Sequence, residues 1–203
     1  VTGGDGNDTI QVTGAITIAA TNTMTRVNTV ETLAAATQSG SNLTHSIVID
    51  ADAELGSITK INLSGDTGAT SSGNIVLTSI TNGVNTVLTG VNGSSSTNTL
   101  IGGAGADTIT GGAGLDTLTG AAGNDVFVYN TASADYSGVG EKITGGADTD
   151  VLLVYGGTTA IDFSNDTLAT LETLELEDNL AGSAQTNNQS VKMTAAQVAG
   201  FTT

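Results

Sequence analysis

A nine-residue phrase, written three times in a row between residues 102 and 128, limits what this chain can fold into. The copies read GGAGADTIT, GGAGLDTLT and GAAGNDVFV, with Asp always sixth and a large apolar residue always eighth. Side chains alternate across a strand, so the last three residues suit a very short strand whose central side chain points inward. The glycine-rich half must turn the chain back within six residues, which requires positive φ at more than one place. The phrase therefore predicts short strands joined by tight turns.

Less regular copies of the phrase lie elsewhere in the chain. Residues 93–101 carry Asn98 at the aspartate place, and residues 3–11 form a clean copy with Asp8. A broken copy at 145–153 has Asp148 at the third glycine place and Asp150 at the sixth. A flexible glycine linker has no reason to place an apolar residue at every ninth position. We therefore interpret the phrase as a structural repeat.

The phrase G-G-x-G-x-D-x-U-x, where U is large and apolar, resembles the repeat of the RTX (repeats-in-toxin) family. That resemblance implies an all-β fold, a calcium-loaded parallel β-roll (a β-solenoid) in which one repeat forms half a coil. Turns two repeats apart would then stack on the same edge. Asp107 and Asp125 would share one edge and flank one Ca²⁺, whereas Asp116 would lie on the other edge with Asn98 above it. Side chains at the eighth place would fill the strip between the edges: Leu100, Ile109, Leu118 and Phe127.

The resemblance also implies that several Ca²⁺ ions are the cofactors of this chain. Calcium prefers six to eight oxygen ligands, and the phrase offers an aspartate carboxylate together with turn carbonyls. The predicted metal-site residues are Gly3, Gly6, Asp8, Asn98, Gly102, Ala104, Asp107, Gly111, Ala113, Asp116, Gly120, Ala122, Asp125, Asp148 and Asp150.

A second, longer period indicates a tandem protein. The segment at 3–14 is similar to the segment at 145–156, 142 residues later, and VETL at 30–33 is similar to LETL at 171–174. We expect the chain, which opens at Val1 without Met, to be part of a longer tandem protein. The predicted units are the end of a first roll (1–14), a β-rich module (15–90), an RTX β-roll (91–153) and a partial second copy of the module (154–203).

The predicted module is rich in strand patterns but not diagnostic of one architecture. Alternating apolar residues and short apolar runs indicate strands at 58–63, 74–77 and 85–88. A continuing β-solenoid and a small β-sandwich both fit this pattern. Near the end of the chain, Thr194 and Gln197 have the spacing of a capping box, which predicts a short helix there and a counterpart near 50–55.

Charge and composition exclude several functional classes. The formal net charge is −16, from 20 acidic and 4 basic residues, so nucleic acid is not an expected partner. The chain has no Cys and no apolar stretch of about 18 residues, so we expect neither disulfides nor a membrane span. With 3% aromatic residues the core is thin, and the carboxylates repel one another unless cations lie among them.

No catalytic constellation is evident, and we expect this chain not to be an enzyme. The one histidine, His45, precedes an apolar run and is typical of a strand end. Motifs for zinc hydrolases, serine hydrolases and phosphate-binding loops are absent from the sequence.

The favoured hypothesis is a calcium-dependent extracellular structural protein of a bacterial cell surface, an S-layer, filament or adhesin that is exported by a type I system and self-associates. The alternative is the calcium-binding secretion and folding tail of a type I-secreted enzyme or toxin. A third hypothesis is a module that binds surface polysaccharide or ice through Thr-rich strands.

Overall fold

The chain folds into two parallel β-sheets whose strands alternate along the sequence. The computed structural model describes residues 3–18, 29–40, 42–49, 58–77, 83–130, 140–155, 161–177 and 191–201. Within these residues one short helix accompanies the strands. The predicted all-β solenoid is therefore confirmed.

The larger sheet has eight parallel strands, each hydrogen-bonded to the next but one in the chain. Its order is β1 (Thr9–Val12), β3 (Thr32–Ala35), β5 (Lys60–Asn62), β7 (Val87–Thr89), β9 (Thr108–Thr110), β11 (Val126–Asn130), β13 (Val151–Tyr155) and β16 (Thr173–Glu177).

The second sheet has seven parallel strands that alternate with those of the first. From the C-terminal end its order is β15 (Thr167–Ala169), β12 (Lys142–Ala147), β10 (Leu115–Ala122), β8 (Thr97–Ile101), β6 (Ser72–Val76), β4 (Thr44–Val48) and β2 (Thr17–Ile18). One strand from each sheet makes one coil of the roll, so consecutive coils stack at the strand spacing of about 4.8 Å.

The core is a double column of apolar side chains, one for each sheet. In the larger sheet the strand register stacks Leu33, Ile61, Leu88, Ile109, Phe127 and Leu152. In the second sheet it stacks Ile47, Ile75, Leu100, Leu118 and Ile143. All of these side chains are buried, which confirms the predicted strip of eighth-place residues.

The module predicted at 15–90 continues the same two sheets. Its strands β3 to β7 pair in register with those of the glycine-rich part, so it is a solenoid rather than a β-sandwich. The proposed boundaries between the four units stay a prediction, since the sheets run through them.

A small C-terminal element packs against the end of the roll. Strands β14 (Ile161–Asp162) and β17 (Val191–Lys192) pair in parallel, and helix α1 (Ala195–Gly200) follows. Thr194 and Gln197 form the predicted capping box. The counterpart helix expected near 50–55 lies outside the described residues. Helix α1 has six residues, and no helix in the described part of the chain could cross a membrane.

Candidate calcium sites at the two edges of the roll

A column of polar residues lines the edge where the chain enters the larger sheet. Each member directly precedes a strand, and the strand register places each above the next. The column, called edge A here, consists of Asp8, Glu31, Thr59, Thr86, Asp107, Asp125, Asp150 and Glu172.

Carboxylates in edge A bind the backbone of the preceding coil. The amide of Asp107 donates to Asp125 Oδ1 at 2.7 Å, and the amide of Asp125 donates to Asp150 Oδ1 at 2.9 Å. The amide of Asp150 donates to Glu172 Oε2 at 2.8 Å. The amide of Thr86 likewise donates to Asp107 Oδ1 at 2.7 Å. One oxygen of each carboxylate therefore fixes the stacking of the coils.

The second carboxylate oxygen points into the glycine turn of its own coil. Asp107 Oδ2 accepts the Gly103 amide at 2.8 Å, whereas Asp125 Oδ2 and Asp150 Oδ2 are buried and have no hydrogen-bond partner. A buried oxygen without a partner costs free energy unless a donor or a cation satisfies it.

The first glycine of each turn brings a backbone carbonyl to the same place. A Cβ on Gly102 would overlap both Asp107 Oδ2 and the Gly120 carbonyl oxygen of the next coil. A Cβ on Gly120 would likewise overlap Asp125 Oδ2 and meet the Gly145 carbonyl oxygen. Carboxylate and carbonyl oxygens thus converge from two coils on a space that only glycine leaves open, which is a donor set that suits Ca²⁺.

The entrance to the second sheet carries a second column, called edge B here. In register it consists of Ile16, His45, Gly73, Asn98, Asp116, Glu141 and Asp166. The amide of Asn98 donates to Asp116 Oδ1 at 2.8 Å, and the amide of Asp116 donates to Glu141 Oε2 at 3.0 Å. The amide of Glu141 donates to Asp166 Oδ1 at 3.0 Å, so edge B repeats the stacking device of edge A.

The placement of the tandem aspartates agrees with the expected half-coil geometry. Asp107 and Asp125 lie on edge A, and Asp116 lies on edge B beside Asn98. That stacking is confirmed, whereas the role of these residues as calcium ligands stays a prediction.

Burial and mutual repulsion raise the pKa values of the stacked acids. Burial, reinforced by the charges of Asp107 and Asp150, raises the pKa of Asp125 to about 7. Burial also raises the pKa values of Asp107 and Asp150. On edge B, burial and the charge of Asp116 raise the pKa of Glu141 to about 8. Bound divalent cations would favour the ionised forms that the bare roll disfavours.

The remaining predicted ligands lie in the turns, away from the two columns. Gly6 has φ of 109° at an exposed turn, and the half-buried Ala104 lies in the turn before Asp107. The carbonyl of Ala113 accepts the Ser96 hydroxyl, and Ala122 ends strand β10. The first turn follows the same pattern, because a Cβ on Gly3 would overlap Asp8 Oδ2, and Asp8 Oδ2 accepts the Gly4 amide at 2.7 Å. A Cβ on Gly111 would overlap Asp116 Oδ2.

Asp148 does not join its neighbour Asp150 in the column. Its side chain is exposed, and its Oδ2 accepts the Gly123 amide of the preceding turn at 3.2 Å. Asp148 has φ of 77° at a place where the phrase has glycine. The structure therefore brings Asp150, but not Asp148, into register with Asp125.

Four column members lie outside the residues predicted from the phrase. Glu31 and Glu172 on edge A, and Glu141 and Asp166 on edge B, occupy the aspartate place without a glycine-rich turn before them. Each is followed, two residues later, by a buried or half-buried Leu or Ile of the core. The pattern acid-x-apolar, taken without the glycines, is the signal that identifies them.

Acidic side chains alone do not complete a cation site. In the part of the chain that the structure describes, no three acidic or histidine side chains converge as a metal-binding group. Any bound Ca²⁺ would therefore depend on backbone carbonyls of the glycine turns as well as on the aspartates, which is the division of ligands that the phrase implies.

Comparison with known proteins identifies the same repeats. The family model of the RTX calcium-binding nonapeptide repeat matches four copies, within residues 1–14 and 92–127. No curated protein and no solved structure matches the chain. The glycine turns with stacked aspartates are therefore RTX calcium-binding repeats, and this chain is an RTX-repeat protein.

Proposed function

We propose that this chain is a calcium-ordered structural element of a bacterial cell surface, a part of an S-layer, a filament or an adhesin. RTX calcium-binding repeats indicate calcium-dependent function in a secreted protein. The observation that carries the proposal is the pair of acidic columns along the edges of a roll that spans β1 to β16. The roll itself, rather than an appended site, is what the cation would order.

Folding and calcium binding are coupled in this proposal by mass action. The formal net charge of −16 and the raised pKa values of Asp125 and Glu141 oppose folding where calcium is scarce. A ligand that binds only the folded chain, at a concentration 100 times its dissociation constant, stabilises it by about 2.7 kcal/mol per site. Several sites together would order the chain outside the cell, after it had passed an export channel unfolded.

Two further observations favour a structural over a catalytic role. The amide of Asp8 donates to Glu31 Oε2 at 2.8 Å, and the amide of Asp150 donates to Glu172 Oε2 at 2.8 Å. The same contact thus recurs 142 residues along the chain, as in a tandem array. His45 is buried, accepts the Ile16 amide at Nδ1 and pairs with Asp66 at Nε2, so it is not exposed to act as a base.

Electron microscopy of the purified protein tests this proposal. We expect ordered sheets or fibres in millimolar Ca²⁺, their loss in excess EGTA and their absence when Mg²⁺ replaces Ca²⁺. The magnesium sample is the matched control, because Mg²⁺ has the same charge but demands a tighter octahedral shell. Single unassembled particles at all calcium concentrations would contradict the proposal and favour the secretion-tail alternative.

A further inference from the structure

Asn98 stands at the aspartate place of edge B, and its surroundings differ from those of the aspartates in one respect. It is 2% exposed, and its Oδ1 accepts the Val91 amide at 2.9 Å. Its Nδ2 donates to the Gly111 carbonyl at 2.9 Å and to Asp116 Oδ1 at 2.8 Å, with a longer contact of 3.3 Å to the Val91 carbonyl. A nitrogen donor thus lies among the oxygens of two coils.

The position of this nitrogen corresponds to that of a carboxylate oxygen on edge A. A Cβ on Gly102 would overlap Asp107 Oδ2 and the carbonyl oxygen of the next coil, that of Gly120. A Cβ on Gly90 would overlap the side-chain amide of Asn98 and the carbonyl oxygen of the next coil, that of Gly111. On edge A two acceptors face one another, and on edge B a donor faces the acceptor.

The orientation of the Asn98 amide follows from its neighbours. Val91 offers a backbone N–H to one end of the amide, while Gly111 and Asp116 offer only acceptor oxygens to the other end. A flipped amide would place its oxygen against both acceptors and leave the Val91 N–H facing an NH₂ group, so one orientation satisfies the whole network.

We propose that Asn98 replaces a calcium ion rather than binding one, so that the joint between β8 and β10 closes without metal. The inference rests on the proposed calcium-dependent function and assigns this position a different role from that of the tandem aspartates. The amide hydrogens supply, by hydrogen bonds, the positive partner that the Gly111 carbonyl and Asp116 carboxylate require. The carboxylate at 98 that would complete the acidic pair is absent.

The column N-terminal to Asn98 is consistent with a metal-free joint. On edge B the preceding members are Gly73 and His45, and Asp66, which contacts His45 Nε2 at 3.1 Å, is buried with it. Gly73 leaves room for the Asn98 side chain, because a Cβ there would approach Asn98 Oδ1 at 2.7 Å. These coils are joined by hydrogen bonds and by the apolar column, without stacked carboxylates.

Calcium stoichiometry of Asn98→Asp tests the inference by isothermal titration calorimetry on the whole chain. We expect the variant to bind one more Ca²⁺ than the unmodified protein and to lose several degrees of thermal stability in EGTA. The matched control is Asn74→Asp, which adds the same charge in the same sheet, beside Thr99 and outside the column. It should bind the unmodified number of ions.

The outcomes separate this inference from the proposed function. If the unmodified protein binds calcium and Asn98→Asp binds the same number, the inference fails while the proposed function stands. If the unmodified protein binds no calcium, both fail. Should the variant not fold, anomalous diffraction from calcium-grown crystals of the unmodified protein decides: an ion bonded to the Asn98 side chain overturns the inference, and ions at Asp107 and Asp125 but none at Asn98 support it.

Discussion

Replacing Asp125 with Asn should change the stability of the roll in opposite directions with and without calcium. The Asp125 side chain is fully buried, its Oδ1 accepts the Asp107 amide, and its Oδ2 has no partner. An Asn side chain keeps the acceptor at Oδ1 and places an NH₂ group beside the Gly145 carbonyl. The calcium-free roll therefore loses a buried charge without losing the hydrogen bond that stacks its coils.

The size of the effect follows from the pKa of Asp125. A pKa held at about 7 in the folded chain instead of 3.8 corresponds to about 4 kcal/mol against the ionised form above pH 7. Effective dielectric constants near 20, even at buried sites, argue for a smaller net value, and we expect about half of it, about 2 kcal/mol. That gain corresponds to a roughly thirtyfold rise in the ratio of folded to unfolded chain in EGTA at pH 8.

In calcium the same substitution should weaken the protein, because it removes an anionic ligand from the edge A site. The calcium concentration at half-folding should rise roughly tenfold or more, which corresponds to about 1.4 kcal/mol or more of binding free energy. Far-UV circular dichroism, followed during calcium titration and in EGTA, measures both effects. Glu175→Gln, an exposed residue of β16, is the charge-matched control and should change neither quantity appreciably.

Two results would refute this reasoning. One is a variant that is less folded than the unmodified protein in EGTA, since the Asp125 carboxylate would then stabilise the bare roll. The other is an unchanged calcium midpoint, which would mean that Asp125 is not a ligand.

Three other substitutions or conditions probe separate parts of the fold. Ala121, with φ of 89° at a glycine place of the phrase, is strained, and Ala121→Gly should raise the unfolding free energy in calcium by about 0.5–1 kcal/mol in urea titrations; a loss would contradict the strain. Leu118→Ala should cost about 3 kcal/mol in the same assay, because the side chain is fully buried, whereas Leu115→Ala, 47% exposed in the same strand, should cost less than about 0.5 kcal/mol. Because the pKa values of Asp125 and Glu141 are raised on folding, their protonation stabilises the calcium-free roll, and this contribution is lost as pH rises through about 7 to 8. In EGTA the thermal midpoint should therefore be higher at pH 5 than at pH 8.5, and an opposite slope would show that other groups dominate.

The sequence predicts the roll well where the phrase is tandem, because there the spacing of core residues is regular. Ile109 and Phe127, which stack directly, are 18 residues apart, two lengths of the phrase. Alternate repeats must then share an edge, and the placement of Asp107, Asp116 and Asp125 follows from that alone.

The rest of the solenoid could not be predicted from spacing, because the length of its coils varies. Leu33 and Ile61 stack directly although 28 residues separate them. A coil that gains residues between strands keeps its register through backbone pairing and its buried apolar residue, neither of which needs a fixed period. A β-sandwich and a solenoid therefore remained equally compatible with the pattern.

Glu31, Glu172, Glu141 and Asp166 were missed for a related reason. The metal-site prediction depended on glycine turns, whereas these acids keep only the last part of the phrase. Each stands two residues before a core Leu or Ile, the distance that sets an edge residue next to the first strand residue. What the glycines determine is whether backbone carbonyls can approach the carboxylate, and that is visible only once the coils are stacked.

Hydrogen exchange at the stacked aspartates tests most directly whether cations between neighbouring turns hold this roll together. The amides of Asp107, Asp125 and Asp150 each donate to the acidic side chain of the next coil, so they exchange only when two coils separate. At pH 7.5 we predict strong protection of all three in millimolar Ca²⁺ and exchange at least a hundredfold faster in EGTA. Equal protection in both conditions would show that the coils stack without bound cations, and would contradict the account.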